Sequence, residues 1–306
     1  MKPVDMTTRL GEITLRNPII TASGTYGFGE EYLAYCPLEA LGGITLKGIT
    51  PLPRLGNPVP RLAETPAGLL NAVGLENPGL EEFLKSYLPK LGQAPTAIIA
   101  NISGFSLEDY ASMARALQQD SGITALEVNI SCPNVKHGGM HFGTDPQSAQ
   151  EVMAAVKAET NLPVIAKLSP NVTDIVGMAR AVQRGGADAL SLINTLLGMS
   201  IDIDAQRPVL ANTFGGLSGP AIRPVAVRMV WQVAEAVDLP IIGMGGITSW
   251  EDAVEFLLAG ATAVSIGTGN FYNPQAPLEI LEGIRTYCEQ RGYSKVKELV
   301  GLAHRG

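Results

Sequence analysis

An α/β fold, a (β/α)8 or TIM barrel with loop insertions over its C-terminal face, is predicted by three features of this 306-residue chain. Short apolar, β-branched runs recur eight times, each followed by a polar or Gly-rich stretch and then a helical pattern. These runs are continuous rather than alternating, as in strands of a parallel sheet covered on both faces. No GxGxxG follows an early strand, which argues against two Rossmann halves and for one barrel domain over 1–306.

In chain order the strand runs are 19–22, 43–47, 97–101, 125–129, 164–168, 189–193, 241–244 and 263–266. A helix begins at Ser106 and runs to about Gln118. Asp145 before Pro146 reads as an N-cap with proline at the first helical position. From Ile222 the residues Val225, Ala226, Met229, Val230, Val233 and Ala236 recur at three and four, one stripe for packing on a sheet. Thr248 and Glu251 read as a capping box for the next helix, whose apolar face carries Ala253, Phe256 and Leu257. Two stretches fall outside the repeat, 50–90, rich in Pro and Gly, and 196–220; such insertions after barrel strands usually build an active-site roof.

Residues just past the C-terminal strand ends converge on one mouth of a barrel. Here they are Ala22, Ser23 and Gly24; Lys47 and Gly48; Asn101; Asn129, Ser131 and Cys132; Lys167; Asn194 and Thr195; Gly245 and Gly246; Gly267 and Thr268. Lysines and asparagines at the ends of five buried strands are costly to desolvate without partners, and a bound polar ligand is the simplest partner. GMGGI (243–247) and IGTGN (266–270) follow strands seven and eight, where barrels often bind phosphate through backbone N–H groups. Cys132 stands between Ser131 and Pro133 in a polar loop, where a thiol of lowered pKa can act as a general base.

Composition narrows the class further. The net charge is −7 and no Lys/Arg cluster stands out, so nucleic acid and anionic membranes are poor partners. Cys36, Cys132 and Cys288 form no CxxC pair and suit a reducing cytoplasm. His137, His141 and His304 show no metal-ligand spacing, and no metal site is assigned. The first ten residues carry Lys2, Asp5 and Arg9 without an apolar core, and no apolar run reaches membrane-spanning length; neither a signal peptide nor an anchor is expected. A GxSxG elbow is lacking, which disfavours a serine hydrolase.

From about Thr8 to the C-terminal helix the chain resembles the class 1 dihydroorotate dehydrogenases. The motifs are NPIITASGTYGFG (17–29), TLKGIT (45–50), NAVGLEN (71–77), NISCPNVKHGGMHFG (129–143), INT (193–195) and GMGGI. The resemblance implies an FMN-dependent barrel that oxidises dihydroorotate to orotate in pyrimidine biosynthesis. Cys132, where membrane-associated class 2 enzymes use Ser, together with the NVKHGGMHFG continuation, is similar to the NAD-linked class 1B catalytic subunit.

Carried over, the resemblance implies that Cys132 takes the proton from dihydroorotate C5 while hydride leaves C6 for the flavin. Lys47, Asn71, Asn129, Asn194 and Thr195 would hold orotate, with the segment Ala72, Val73, Gly74 and Leu75 alongside. Ala22, Ser23, Gly24, Lys47, Gly48, Asn101, Asn129, Lys167 and Ile193 would line the ring and ribityl chain of FMN. Gly219, Gly245, Gly246, Gly267 and Thr268 would surround its phosphate. Lys167 is the residue expected to stabilise negative charge on the ring. The chain has no fingerprint for a second cofactor, so electrons need a partner. The resemblance implies an electron-transfer subunit with FAD and a [2Fe-2S] cluster, two of each chain forming a heterotetramer. A fumarate-linked class 1A homodimer and a non-catalytic barrel sensing a phosphorylated ligand are the alternatives.

Overall fold

The computed structural model describes residues 3–91, 94–118, 122–130 and 142–306. Eight parallel strands close into a barrel: β1 (Ile19–Thr21), β2 (Gly43–Thr45), β3 (Ala97–Ile102), β4 (Ala125–Asn129), β5 (Val164–Lys167), β6 (Ala189–Leu192), β7 (Ile241–Met244) and β8 (Ala263–Ile266). Each strand pairs in parallel with its sequence neighbours, and β8 closes on β1 with Ser265 opposite Ile20. The eight sequence-derived runs match these strands within two residues at every end.

The continuous apolar runs divide by alternation. Ile19, Ile44, Ile98, Leu126, Val164, Leu190, Ile241 and Val264 join the large core shared with the helices. Their neighbours Ile20, Ile99, Ala125, Ile165, Ala189, Ile242 and Ala263 form a separate cluster inside the barrel. That cluster is completed by Leu10, Ile13 and Leu15 of an N-terminal hairpin, Thr8–Leu10 with Ile13–Leu15, which stoppers the N-terminal end. The hairpin escaped the sequence reading because its alternation lasts only three residues per strand.

Helices Leu107–Gln118, Pro146–Glu159 and Arg223–Ala234 begin within a residue of their sequence-derived starts. The stripe in the last buries Ala226, Met229, Val230 and Val233. Asp145 caps as expected, accepting from the Ser148 N–H at 2.8 Å. The next cap differs from the sequence reading. Helix Trp250–Leu258 is capped by Ser249 and boxed by Asp252, not by Thr248 and Glu251. The register shifts because buried Asp252 accepts from the N–H groups of both Thr248 and Ser249, while Glu251 points to solvent.

Both insertions lie over the mouth. Leu62–Thr65 and Gly68–Asn71 from the first, with Leu196–Gly198 and Gly215–Ser218 from the second, make a four-stranded antiparallel sheet. Among the described residues no helix is long and apolar enough to cross a membrane.

Candidate active site

Between the strand ends and the roof sheet lies a cavity of about 480 Å³. Its lining gathers the sequence-derived residues from all eight strands: Ala22, Ser23 and Gly24 after β1, Lys47 and Gly48 after β2, Asn101 in β3, Asn129 in β4 and Lys167 in β5. Ile193, Asn194 and Thr195 follow β6, Gly245 and Gly246 follow β7, and Gly267 and Thr268 follow β8. The roof contributes Asn71, Ala72, Val73, Gly74, Leu75 and Gly219. Cys132, within 131–141, lies outside the described residues.

The walls of the cavity carry unmatched charge. Lys167 is 6% exposed, Lys47 is half-buried, and neither amine forms a hydrogen bond or ion pair with a described residue. The single carboxylate among the described lining residues, Glu76, is already paired with Arg61. Two ammonium groups in a concave, partly apolar site call for anionic or electron-rich ligand groups.

Beneath them the barrel interior turns polar. Glu127, 1% exposed, accepts from Asn101 Nδ2 at 2.6 Å and from Ser191 Oγ at 2.7 Å. The other end of the Asn101 amide, Oδ1, is buried without a hydrogen bond to any described residue. A Cβ added at Gly48 would sit 2.8 Å from it, so the glycine leaves room next to this acceptor, and both residues line the cavity.

On the β6 side, the Thr195 N–H donates to Asn194 Oδ1 at 2.8 Å, and Asn71 Nδ2 reaches the Gly216 carbonyl at 3.2 Å. Asn171 pins this edge with both ends of its amide: Nδ2 donates to the Thr195 carbonyl at 3.0 Å, and Oδ1 accepts from the Leu197 N–H at 2.9 Å.

Gly245 and Gly246 hold φ of +123° and +80°, a conformation that L side chains rarely adopt, so the turn after β7 offers bare backbone to the cavity. Asp252 fixes that turn from below through Thr248 and Ser249, and its other oxygen pairs with Arg223. Across the gap, Thr268 Oγ1 donates to Ser218 Oγ at 2.7 Å, joining β8 to the roof.

The residues fit FMN. A planar ring edged with carbonyl and N–H groups meets an orphaned buried acceptor at Asn101 and cations at Lys47 and Lys167, while a phosphate meets glycine-rich backbone after β7 and β8.

The sequence reading missed Glu127 and Asn171. Glu127 is the middle residue of the run Ala-Leu-Glu-Val-Asn, and only strand register shows that it shares the inward side with Asn129. Asn171 lies four residues past the end of β5, and nothing local marked it as the anchor of a distant loop.

Comparison with known proteins extends these findings. The dihydroorotate dehydrogenase family model matches residues 5–287. The "Dihydroorotate dehydrogenase B (NAD(+)), catalytic subunit" of Desulforamulus reducens is 56% identical over 301 residues, 98% of this chain and 99% of the relative. The protein of the same name from Geotalea uraniireducens is 54% identical over 297 residues, 97% of each chain. Its counterpart in Bacteroides thetaiotaomicron is 50% identical over 297 residues, 97% of this chain and 98% of the relative.

Proposed function

The chain belongs to the dihydroorotate dehydrogenase family, and on that premise we propose that it oxidises dihydroorotate to orotate in pyrimidine biosynthesis, as the catalytic subunit of an NAD+-linked enzyme. The observation that carries this reading is the pair of unmatched lysines and the orphaned Asn101 acceptor around one cavity at the strand ends. Relatives named as NAD(+)-linked catalytic subunits match over nearly their whole length and favour this reading over the fumarate-linked alternative.

FMN is the cofactor this site would hold, and when bound it supplies the acceptor for the hydride that leaves dihydroorotate C6. Asn101, Lys167, Lys47, Ser23 and Ile193 would border its ring, and Gly219, Gly245, Gly246, Gly267 and Thr268 its phosphate. Lys167 places positive charge where the cofactor gains electrons. Lys47 pairs with the substrate carboxylate. Asn71, Asn129, Asn194 and Thr195 match the flat pyrimidine edge with amide and hydroxyl groups. Cys132 is the general base that removes the proton from C5. The partner is an electron-transfer subunit carrying FAD and a [2Fe-2S] cluster, in a cytoplasmic heterotetramer of two of each chain.

The test is a visible spectrum of the purified chain, followed by anaerobic addition of dihydroorotate. A flavin band that bleaches is expected. A band that persists would overturn the substrate, and folded protein without flavin would overturn the cofactor.

A further inference from the structure

We propose that Glu127 is a positioning residue that sets the sense of the Asn101 side-chain amide and thereby makes the cavity floor a hydrogen-bond acceptor, selective for a ligand ring that presents an N–H. The inference rests on the functional reading above, because the ring concerned is that of FMN or of the pyrimidine.

The two ends of an asparagine amide are almost equal in size and opposite in hydrogen-bonding character, so packing alone does not choose between them. The backbone here is already fixed, since the Asn101 carbonyl accepts from the Ile49 N–H at 2.9 Å. What remains free is the turn of the amide, and Glu127 decides it. Its Oε2 lies 2.6 Å from Asn101 Nδ2, and its Oε1 is engaged by Ser191 Oγ at 2.7 Å. With the amide reversed, an amide oxygen would meet a carboxylate oxygen at that distance, and both would lose a partner in a buried site. Nδ2 therefore faces the carboxylate and Oδ1 is left over, buried and unpartnered next to Gly48, the two residues both lining the cavity.

An acceptor stranded in this way is costly until a donor arrives. FMN offers one ring N–H, at its imide, and dihydroorotate and orotate offer ring N–H groups of the same kind. Burying Glu127 at 1% exposure is itself unfavourable, and an apolar side chain would fill the barrel more cheaply. Fixing one of two near-isosteric orientations is a reason to keep a carboxylate there.

The test compares wild type, Glu127→Gln and the double variant Asn101→Asp/Glu127→Gln. Each chain, stripped of flavin, is titrated with FMN by flavin fluorescence, and each FMN-loaded chain is then titrated with orotate by difference spectrum. In Glu127→Gln the Ser191 hydroxyl keeps the side-chain oxygen of residue 127 as its acceptor, so the new NH2 faces residue 101, draws Asn101 Oδ1 to it and turns Nδ2 toward the cavity. One of the two ligands should then bind about tenfold more weakly or worse. The double variant restores an oxygen on both sides of residue 101 and should recover most of that loss. Weaker FMN binding assigns the donor to the flavin imide; weaker orotate binding assigns it to the pyrimidine; either supports the proposal. Unchanged affinities in Glu127→Gln would overturn it, as would a double variant that stays as weak as the single one. Wild-type protein that fails to take up FMN would instead remove the functional reading beneath it.

Discussion

The two ends of the barrel are built from the same strands yet obey opposite rules. At the N-terminal end the inward positions are Ile99, Ala125, Ile165 and Ala189, sealed by Leu10, Ile13 and Leu15 from the hairpin. Two residues further along each strand, on the same inward side, stand Asn101, Glu127, Lys167 and Ser191. One step of the strand period thus separates a dry, close-packed layer from a buried polar one. The lower layer buries apolar surface and carries stability; the upper layer carries desolvated polar groups, of which Asn101 Oδ1 and the Lys167 amine have no partner among the described residues and are left for a ligand. Substitutions should separate along the same line.

The largest effect is expected at the polar end. Cys132→Ala should lower dihydroorotate oxidation by about 10² to 10⁴ while leaving thermal unfolding and FMN content unchanged, because a general base acts on the rate alone. Turnover close to wild type in steady-state assays would remove the thiol from the mechanism. Leu15→Ala, at the sealed end, should do the reverse, costing about 2–5 kcal/mol in a denaturant melt with KM unaltered. A shift in KM instead would show that the hairpin communicates with the mouth.

Asn171→Ala should fall between these classes. It frees the Thr195 carbonyl and the Leu197 N–H, so KM for dihydroorotate should rise several-fold with little change in the melt. The cap makes the smallest difference. Ser249→Ala should cost about 1 kcal/mol of stability, and Glu251→Ala close to nothing.

The thiols offer a pH-based version of the same contrast. Burial pushes Cys288 up to about 11 and raises Cys36 as well, so both remain protonated thiols at pH 8. Iodoacetamide at that pH should modify Cys132 alone, and bound orotate should slow it. Labelling of Cys288 should begin only toward pH 11 or on unfolding, as peptide mapping would show.

Much of this organisation was legible in the sequence, for a physical reason. A strand covered on both faces must be apolar throughout, so an abrupt Lys or Asn at its end, as at Lys47, Asn101 and Lys167, marks where the covered layer stops. Five such stops, with the glycine-rich ends of β7 and β8, located the mouth, and the two insertions after β2 and β6 supplied its roof. What stayed hidden depended on register or on distant contacts. Glu127 looked like one more strand residue until its neighbours fixed which way it faced. Thr248 and Ser249 both satisfy the capping pattern, and the choice was made by the bonds that Asp252 forms. Asn171 acquires its role only when the loop from β6 passes over it.

The sealed lower end also governs traffic. With the N-terminal end packed by Leu10, Ile13 and Leu15, the described cavity lies at the C-terminal side, under the roof. Asn101 and Lys167 are buried while Asn71, Asn194 and Thr195 are half-buried, so the site has a deeper and a shallower layer. On the proposed function, a cofactor held in that deeper layer would stay through successive turnovers while substrate and product exchange nearer the solvent.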